Sequence, residues 1–295
     1  MMEQAYLNSV NLNAGSNFPY LVLDVTKDDS VPRNPGYRVM HWHEDLQFIL
    51  VLEGAIRVQT LRQTISLCQG EGVFINRGVV HLVMPDGVCH YNSFLFPDSL
   101  LRFAPCAAAG QVVTAVTQDA GLELHHLNVS CAWEREALQH LQMLAALQEK
   151  RDPWYEYAVL TELCALWLVL AKNIPHGSAK VDTLIRERMR LFLDYITVHL
   201  EEPLTIASIA ESAHVSTSEC LRCFHQSMGT TPYRYLMDVR LAKAASLLTD
   251  TDMTVQQIAE HVGFSTTSHF GKCFKERAGC SPREYRLHKT MSCTR

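Results

Sequence analysis

Three histidines and a glutamine in the first third of the chain have the residue types and the spacing of a small binding site. His41 and His43 are separated by one residue, Gln47 follows four residues after His43, and His81 lies further along. Residues two apart on a β-strand point to the same side, so we expect His41 and His43 to share a face. Imidazole and amide groups can hydrogen-bond a small molecule or bind a divalent ion. A neutral amide is a poorer ligand than a carboxylate for a hard ion, so the set favours a small molecule.

Two segments in the last third of the chain carry a second group of side chains that could do chemistry. Each segment has an apolar face at helical spacing, formed by Cys220, Cys223 and Phe224 in one and by Phe270, Cys273 and Phe274 in the other. The opposite faces hold short polar side chains, cations and one leucine: Ser218, Leu221, Arg222, His225, Thr267, Ser268, Lys272 and Lys275. Such side chains suit base edges in a DNA major groove, because Arg and Lys pair with guanine, Ser and Thr with several bases, and Leu with the thymine methyl group.

These two segments belong to an internal repeat. Residues 205–236 recur as residues 254–286, with an offset of 49 up to a turn and 50 after it. Thr205 and Thr254 are predicted helix N-caps, and Gln257 is placed to complete a capping box with Thr254. A tight turn follows in each copy, at His214 or at Gly263, before a second helix. The pattern predicts two helix-turn-helix units.

The second helix of each unit also has start signals. Ser216 is predicted to cap the first, with Glu219 completing its capping box, and Ser265 or Thr266 to cap the second. A further helix that begins at Thr231 connects the units, and its length suits a separation of roughly 34 Å, one turn of DNA. The alternative is an ordinary helical bundle with a solvated polar face, and the duplication with its repeated caps argues against it.

The chain before these units has a different pattern. Short apolar stretches broken by Gly, Pro and Asn predict an antiparallel sandwich or barrel, with strands at 46–52, 55–61, 72–75 and 90–96. From Trp133 to Ile174 apolar residues recur at threes and fours, which predicts two helices. The expected organisation is a β domain at 1–129, a helical segment at 130–173, a linker at 174–181 and a helical domain with the two helix-turn-helix units at 182–295.

Composition limits the protein class. At 295 residues, 47% hydrophobic and 19% charged, the chain is too long for one ordinary core and too apolar for a disordered protein. Residues 181–295 carry 14 basic and 13 acidic side chains, so DNA binding there must depend on where the charges lie. The start lacks the pattern of a secretory signal and the longest apolar run is too short to cross a bilayer, so we expect a cytoplasmic protein without a membrane partner.

The ten cysteines lack the spacing of a zinc module. In the cytoplasm they are expected to stay reduced. The single CxxC, Cys220 and Cys223, is interpreted as part of an apolar core, with a redox or metal role as the alternative.

The C-terminal region from Leu204 to Arg286 resembles the AraC family of bacterial transcription regulators. Its most specific part is GFSTTSHFGKCFKERAGCSPREYR, which holds GF, a Ser, a second Phe, FK, G and P-x-x-Y-R in the family order. The resemblance implies that Arg222 and Lys272 read bases and that His225 and Lys275 contact phosphates. The sequence departs from the family at His214, where glycine is common in the turn, and at Gly271, where a side chain usually reaches DNA.

The N-terminal histidine motif resembles the two motifs of a cupin barrel. The resemblance places the cupin metal-ligand positions at His41, His43, Gln47 and His81. The sequence departs from metalloenzyme cupins by Gln47 in place of a carboxylate and by Asn76 in place of proline. In AraC-like regulators the cupin domain usually serves as an effector pocket or a metal-free scaffold, so we expect neither a metal nor another cofactor.

Together these patterns predict a multidomain β plus α protein, with a cupin-like β-barrel, a helical dimerisation segment and an all-α tandem helix-turn-helix domain. The expected function is sequence-specific DNA binding and transcription regulation without catalysis, controlled by a small molecule. Expected partners are double-stranded DNA, the effector, a second copy and RNA polymerase. The alternative is a cupin metalloenzyme, an oxygenase or isomerase, with a fused helical domain.

Two further predictions concern apolar residues. Trp42, Phe48 and Phe74 are candidates for the apolar wall of the effector pocket. The two helices before the linker have more apolar surface than one flank of a barrel needs, and a second copy is expected to cover the excess. The residues concerned are Leu138, Leu141, Leu144, Leu163, Trp167 and Leu170.

Overall fold

The computed structural model describes residues 12–13, 16–27, 30–32, 39–103, 107–119, 121–149, 152–174 and 183–292. The described residues group into two compact units, an N-terminal unit within 9–34 and 42–183 and a C-terminal unit of 39–41 and 184–292. Apart from Ile174, the predicted linker lies outside the described residues. No helix in the described ranges combines the length and apolar character of a membrane-spanning helix.

The N-terminal unit contains an antiparallel sheet that has seven strands among the described residues. The strands are β1 (Leu21–Thr26), β2 (Ser30–Val31), β3 (Leu46–Thr60), β4 (Thr64–Cys68), β5 (Gly72–Ile75), β6 (His81–Phe96) and β7 (Leu124–Leu127). Their order is β2-β1-β6-β3-β5-β7, and β4 pairs with β3. The long strands β3 and β6 pair with each other along most of their length, and every other strand except β2 and β7 pairs with one of them.

The two stretches predicted as separate strands at 46–52 and 55–61 form the single strand β3, so that prediction was wrong. The register of β3 against β6 shifts on both sides of Gly54. Gly54 has a φ of +71°, and a Cβ at this position would lie 1.9 Å from the carbonyl oxygen of Val88. Only glycine fits at this position. The register shifts on both sides of it mark a bulge, after which the strand continues.

Among its described residues, the N-terminal unit also has three helices: α1 (Ala108–Thr117), α2 (Ala132–Leu147) and α3 (Tyr155–Asn173). A 3₁₀ turn precedes them at Asp98–Leu101. Alternate residues of the central strands, such as Phe48 and Phe74, form one core with apolar residues of α2 and α3. The Phe74 and Trp167 rings meet edge to face at 6.3 Å between centroids.

The helix residues predicted to form a surplus apolar surface are buried in this core. They are Leu138, Leu141, Leu144, Leu163, Trp167 and Leu170. The prediction of a surplus at these residues was wrong, because the aromatic face of the sheet needs both helices to cover it.

The C-terminal unit is helical. Its helices are α4 (Thr183–Val198), α5 (Ile206–Glu211), α6 (Thr217–Met228), α7 (Pro232–Asp250), α8 (Val255–His261), α9 (Thr267–Ala278) and α10 (Pro282–Ser292). The pairs α5–α6 and α8–α9 are the two predicted helix-turn-helix units. The predicted capping box of Thr254 and Gln257 is present, and Thr205 forms a second one with Ser208.

One arginine holds the start of each helix-turn-helix unit in place. Arg240 on α7 donates to the carbonyl oxygens of Leu200 at 3.0 Å and of Glu202 at 2.7 Å. Arg286 on α10 likewise donates to the carbonyl oxygens of Leu248 at 2.9 Å and of Met253 at 2.6 Å. Each guanidinium thus satisfies carbonyl groups around a helix C-terminus, where a cation is favourable.

Candidate DNA-binding surface and effector site

Helix α6 presents the first predicted DNA-reading face to solvent. Ser216 caps the helix, and its side-chain oxygen accepts a hydrogen bond from the backbone N–H of Glu219 at 3.2 Å. Cys220, Cys223 and Phe224 are fully buried, and they fix the rotation of the helix. The predicted DNA-reading side chains on its opposite face are all exposed, namely Ser218, Leu221, Arg222 and His225.

Helix α9 repeats this arrangement. Thr266 caps it and accepts from the backbone N–H of His269 at 3.2 Å. Phe270 and Phe274 are buried, whereas Cys273 is only half-buried. At Gly271 an added Cβ would meet no neighbouring atom within 4 Å, so the surface there is open. The side chains predicted to face DNA are exposed here too, namely Thr267, Ser268, Lys272 and Lys275.

Both tight turns contain a residue in the left-handed region. His214 has a φ of +52° and Gly263 a φ of +81°. A Cβ at Gly263 would lie 2.5 Å from Nη2 of Arg240 and 2.7 Å from the carbonyl oxygen of Leu200, so the second turn requires glycine. The side chain of His214 is 90% exposed, so the departure from glycine leaves the first turn intact.

The predicted capping box at the start of α6 is incomplete. Glu219 gives its backbone N–H to Ser216, but its carboxylate accepts from Arg222 through Nε at 2.8 Å and Nη2 at 2.7 Å. Arg188 on α4 donates to the same carboxylate at 2.5 Å. The expectation of a return bond from this side chain to Ser216 was wrong, because two guanidinium groups are stronger partners for a carboxylate than one backbone N–H.

The CxxC residues of α6 are thiols in a packed interior. Burial raises the pKa of Cys220 to about 12, and it also raises the pKa of Cys223. Both thiols are therefore protonated at neutral pH, and a protonated thiol is neither a good nucleophile nor a metal ligand. Among the described residues, the group of side chains placed to hold a metal ion contains histidines and no cysteine.

The histidine site lies just before and along the sheet. His41 and His43 precede β3, so they are not on a strand as predicted, and His81 is the first residue of β6. All three are buried. The rings of His43 and His81 meet edge to face with centroids 5.2 Å apart. Gln47 is buried on β3, with Oε1 3.2 Å from Nε2 of His43.

Each histidine is oriented by a backbone carbonyl group. The Nδ1 atoms of His41, His43 and His81 lie 2.7, 2.9 and 2.9 Å from carbonyl oxygens of Val39, Asp45 and Val79. A carbonyl oxygen only accepts, so each Nδ1 carries a hydrogen. A neutral imidazole with its hydrogen on Nδ1 has its lone pair on Nε2.

His43 is neutral at pH 7, because burial lowers its pKa and outweighs its hydrogen bonds to Asp45 and Gln47. Its Nε2 is therefore an acceptor. Ser93 on β6 extends the hydrogen-bonded series from His43 and Gln47, since its hydroxyl lies 2.8 Å from the Gln47 amide. The sequence analysis missed this residue. Nε2 of Gln47 faces the Ser93 hydroxyl and Oε1 faces His43. Turning the amide by 180° lets its Nε2 donate to Nε2 of His43 and its Oε1 accept from the Ser93 hydroxyl, which satisfies all three groups. Ser93 pairs with Ile49, two residues after Gln47 on β3, and only this strand pairing reveals the partner.

The predicted apolar wall needs correction. Phe48 and Phe74 belong to the core shared with α2 and α3, whereas Gln47, next to Phe48 on the same strand, points to the other face of the sheet. The two phenylalanines therefore cannot line a site that includes Gln47. Trp42 is buried. On β3, the residues on the same face of the sheet as Gln47 are Ile49 and Val51, and both are buried aliphatic side chains.

Comparisons with known proteins cover both units. Residues 32–187 match the family described as AraC-like ligand binding domain, and residues 209–288 match a helix-turn-helix domain family. The chain is 28% identical over 255 residues to YdeC of Bacillus subtilis, an HTH-type transcriptional regulator without a characterised role, covering 85% of this chain and 87% of that protein. It is 26% identical over 262 residues to the HTH-type transcriptional activator RhaS of Citrobacter koseri, covering 86% and 90%.

A solved structure shows the same fold over most of the chain. The crystal structure of an apo ToxT variant from Vibrio cholerae has a TM-score of 0.50 and 12% identity, covering 91% of this chain and 96% of that one. The named relatives are transcription regulators, which favours this function over the cupin metalloenzyme. The chain belongs to the AraC family of DNA-binding transcription regulators, with an N-terminal ligand-binding domain and a C-terminal pair of helix-turn-helix units.

Proposed function

We propose that α6 and α9 are the recognition helices and that Arg222 and Lys272 each read a guanine in the major groove. The observation that carries this proposal is the sidedness of both helices. Phe224 and Phe274 are buried in the core, and the side chains on the opposite face are exposed. Long cations on such a face can reach guanine O6 and N7.

The remaining exposed residues have supporting roles. His225 and Lys275 lie one turn further along their helices and contact phosphates. Phosphate contacts position the protein without carrying sequence information. The short polar side chains and the leucine contact other base edges, and they are Ser218, Leu221, Thr267 and Ser268.

The experiment is a selection of bound sequences from random DNA by the full chain and by Arg222→Ala and Lys272→Ala. Each variant is expected to lose about 1–3 kcal/mol of specific binding and the base preference in one half of the site. Arg57→Ala, an exposed arginine on β3, is the charge-matched control and should keep the wild-type preference. Unchanged preference in both variants would refute the assignment of the faces.

In the N-terminal unit, we propose that His43, Gln47, Ser93 and His81 bind the polar group of a small effector. The supporting observation is a buried chain of neutral hydrogen-bonding groups, in which His43 and Gln47 are 3.2 Å apart and Gln47 and Ser93 are 2.8 Å apart. Neutral groups suit a hydroxyl or carbonyl better than an ion, since a buried charge needs a partner of opposite sign. Gln47→Leu should abolish the response of DNA binding to effector in a screen of neutral metabolites, whereas Gln59→Leu, at the other end of β3, should not.

A divalent transition-metal ion is a second candidate for this site. The observation that favours it is the common Nδ1–H bond of His41, His43 and His81 to a backbone carbonyl, an orientation that metal-binding histidines often have. The ion would be held by Nε2 of His43 and Nε2 of His81. Near-stoichiometric metal in protein purified without chelator, and lost in His43→Ala, would favour this candidate over the small molecule.

We also propose that the regulator is a cytoplasmic homodimer that contacts RNA polymerase from its DNA site. The support for a dimer is an exposed stripe on α3, where Tyr157 is 72% and Leu168 54% exposed. Tyr157, Thr161 and Leu168 are exposed at helical spacing along this face. Contact with RNA polymerase is one way in which a DNA-bound regulator changes transcription.

A further inference from the structure

A carboxylate on the first recognition helix joins two arginines from different helices. Glu219 accepts from Nε and Nη2 of Arg222, three residues later on α6, at 2.8 and 2.7 Å. It also accepts from Nη1 of Arg188 on α4 at 2.5 Å. The side chains of Arg188 and Glu219 are 22% and 25% exposed, whereas that of Arg222 is 53% exposed. The carboxylate is thus anchored on the protein side and holds a more exposed guanidinium.

The contact of Glu219 with Arg222 fixes the plane of the guanidinium group. A carboxylate that engages Nε and Nη2 together forms a two-pronged pair, which sets the orientation as well as the distance. Gln226, one turn further along α6, accepts from Nη1 of Arg222 at 2.9 Å. Arg222 is therefore held from two directions, and a long side chain held before binding loses less conformational entropy when it binds.

The second arginine keeps the trio positively charged. Hydrogen bonding to Arg222 and the charges of Arg222 and Arg188 lower the pKa of Glu219 to about 2, so its carboxylate is ionised at pH 7. One negative and two positive charges leave a net positive charge on this part of α6. Glu219 thus orients Arg222 without cancelling the attraction of the surface for DNA.

The second helix-turn-helix unit has no carboxylate at the position that corresponds to Glu219. With the repeat offset of 50, Lys272 corresponds to Arg222 and His269 corresponds to Glu219. The His269 ring packs edge to face on Phe264, with centroids 5.4 Å apart. A lysine ammonium also offers no flat edge for a two-pronged pair. The duplicated fold therefore does not require a carboxylate at this position, which argues against a purely structural role in α6.

We propose that Glu219, anchored by Arg188, is a positioning residue that orients Arg222 toward one base pair and thereby sets the sequence preference of the first helix-turn-helix unit. The inference rests on the proposed function, in which Arg222 reads a base. It adds that the preference of the first unit depends on a residue that itself need not touch DNA, and that the first unit is more selective than the second.

The test measures sequence preference and affinity for random DNA in Glu219→Gln, using the full chain. Preference at the base pair assigned to Arg222 should fall at least about fivefold, because the two-pronged pair is lost. Affinity for random DNA should rise, because a negative charge near the phosphates is removed. A variant that was only destabilised would bind every sequence less well. A fall in base preference together with a rise in affinity for random DNA therefore separates a positioning role from a folding defect.

Glu211→Gln is the matched control, since it removes a carboxylate from the same unit that is 81% exposed and lies near His214. It should leave the base preference unchanged. Arg188→Ala should lower the preference as Glu219→Gln does, while lowering affinity for random DNA. Should Glu219→Gln fail to fold by circular dichroism, Glu219→Asp, which keeps the charge but shortens the reach, replaces it with the same expected loss of preference.

Retention of the wild-type preference within twofold by folded Glu219→Gln or Glu219→Asp would overturn the inference. Arg222→Ala separates it from the proposed function. If Arg222→Ala loses the preference and the Glu219 variants do not, only the positioning role fails. If Arg222→Ala keeps the preference, the base-reading assignment fails first.

Discussion

At the scale of single residues, two of the candidate side chains have hydrogen-bond partners far away along the chain. Glu219 follows the sequence rule for a capping box, yet its carboxylate binds Arg188, which is 31 residues earlier. Ser93, the partner of Gln47, is 46 residues away from it. The sequence identified Gln47 and Arg222 as candidates from their types and spacing. It could not identify the partners, because these depend on which helices and strands become neighbours.

Burial of His43 predicts a pH dependence of stability. Its pKa is about 6.5 in an unfolded chain and lower in the folded protein, so the unfolded state binds more protons at mildly acidic pH. The stability associated with this group is complete above pH 6.5 and is lost as the pH falls through the folded-state pKa. The free energy of unfolding of His43→Gln should therefore depend less steeply on pH than that of the wild type between about pH 5 and pH 7.

Thermal melting of the full chain at several pH values measures this dependence. Gln59→Leu, a change at the other end of β3 that involves no titratable side chain, is the control and should keep the wild-type slope. Equal slopes for His43→Gln and the wild type would show that His43 does not bind its proton differently in the folded protein.

At the scale of elements, local start and turn signals predicted most of the C-terminal unit. The N-caps Thr205, Ser216, Thr254 and Thr266 lie where the repeat places them. The sheet was predicted less well, because a glycine can end a strand or form a bulge within it. At Gly54 the choice depends on the carbonyl of Val88 on the neighbouring strand, which the local sequence does not reveal.

The two turns predict opposite effects of exchanging glycine and a larger residue. His214→Gly should stabilise the protein by up to about 1 kcal/mol, because a side chain in the left-handed region costs about 1–2 kcal/mol and the extra freedom of glycine in the unfolded chain offsets part of this. Gly263→Ala should destabilise it by more than about 1 kcal/mol, since the added Cβ also meets Arg240 and the Leu200 carbonyl. Urea unfolding of both variants measures the difference, and changes of equal sign would contradict the turn geometry.

The buried face of α6 leads to a second prediction at this scale. Phe224→Ala should cost roughly 3–5 kcal/mol of stability, because it removes a fully buried ring that stacks on Phe192 with centroids 5.8 Å apart. Leu221→Ala, on the exposed face of the same helix, should change stability by less than about 0.5 kcal/mol. Wild-type melting of Phe224→Ala, or a large loss in Leu221→Ala, would mean that α6 is rotated.

At the scale of the whole chain, apolar periodicity predicted the elements but not which apolar residues remain exposed. The leucines of α2 and α3 have the same spacing whether they cover a sheet or a second chain. The sheet determines the outcome, since its aromatic face packs against them. What remains exposed is a different set, which includes Tyr157 and Leu168 on α3 and Met143 on α2.

The last prediction concerns the self-association that this exposed set would support. If two copies pair through α3, Leu168→Glu should abolish the dimer, because it places an unpaired charge in an apolar interface. Val88→Glu, at a site on β6 that is 70% exposed, is the matched control and should remain dimeric. Sedimentation equilibrium at micromolar concentration measures the state of each. A monomeric wild type that binds DNA normally would contradict the dimer, and a dimeric Leu168→Glu would place the interface elsewhere. In the expected case Leu168→Glu also binds DNA more weakly, because two linked copies hold two sites together and a monomer holds only one.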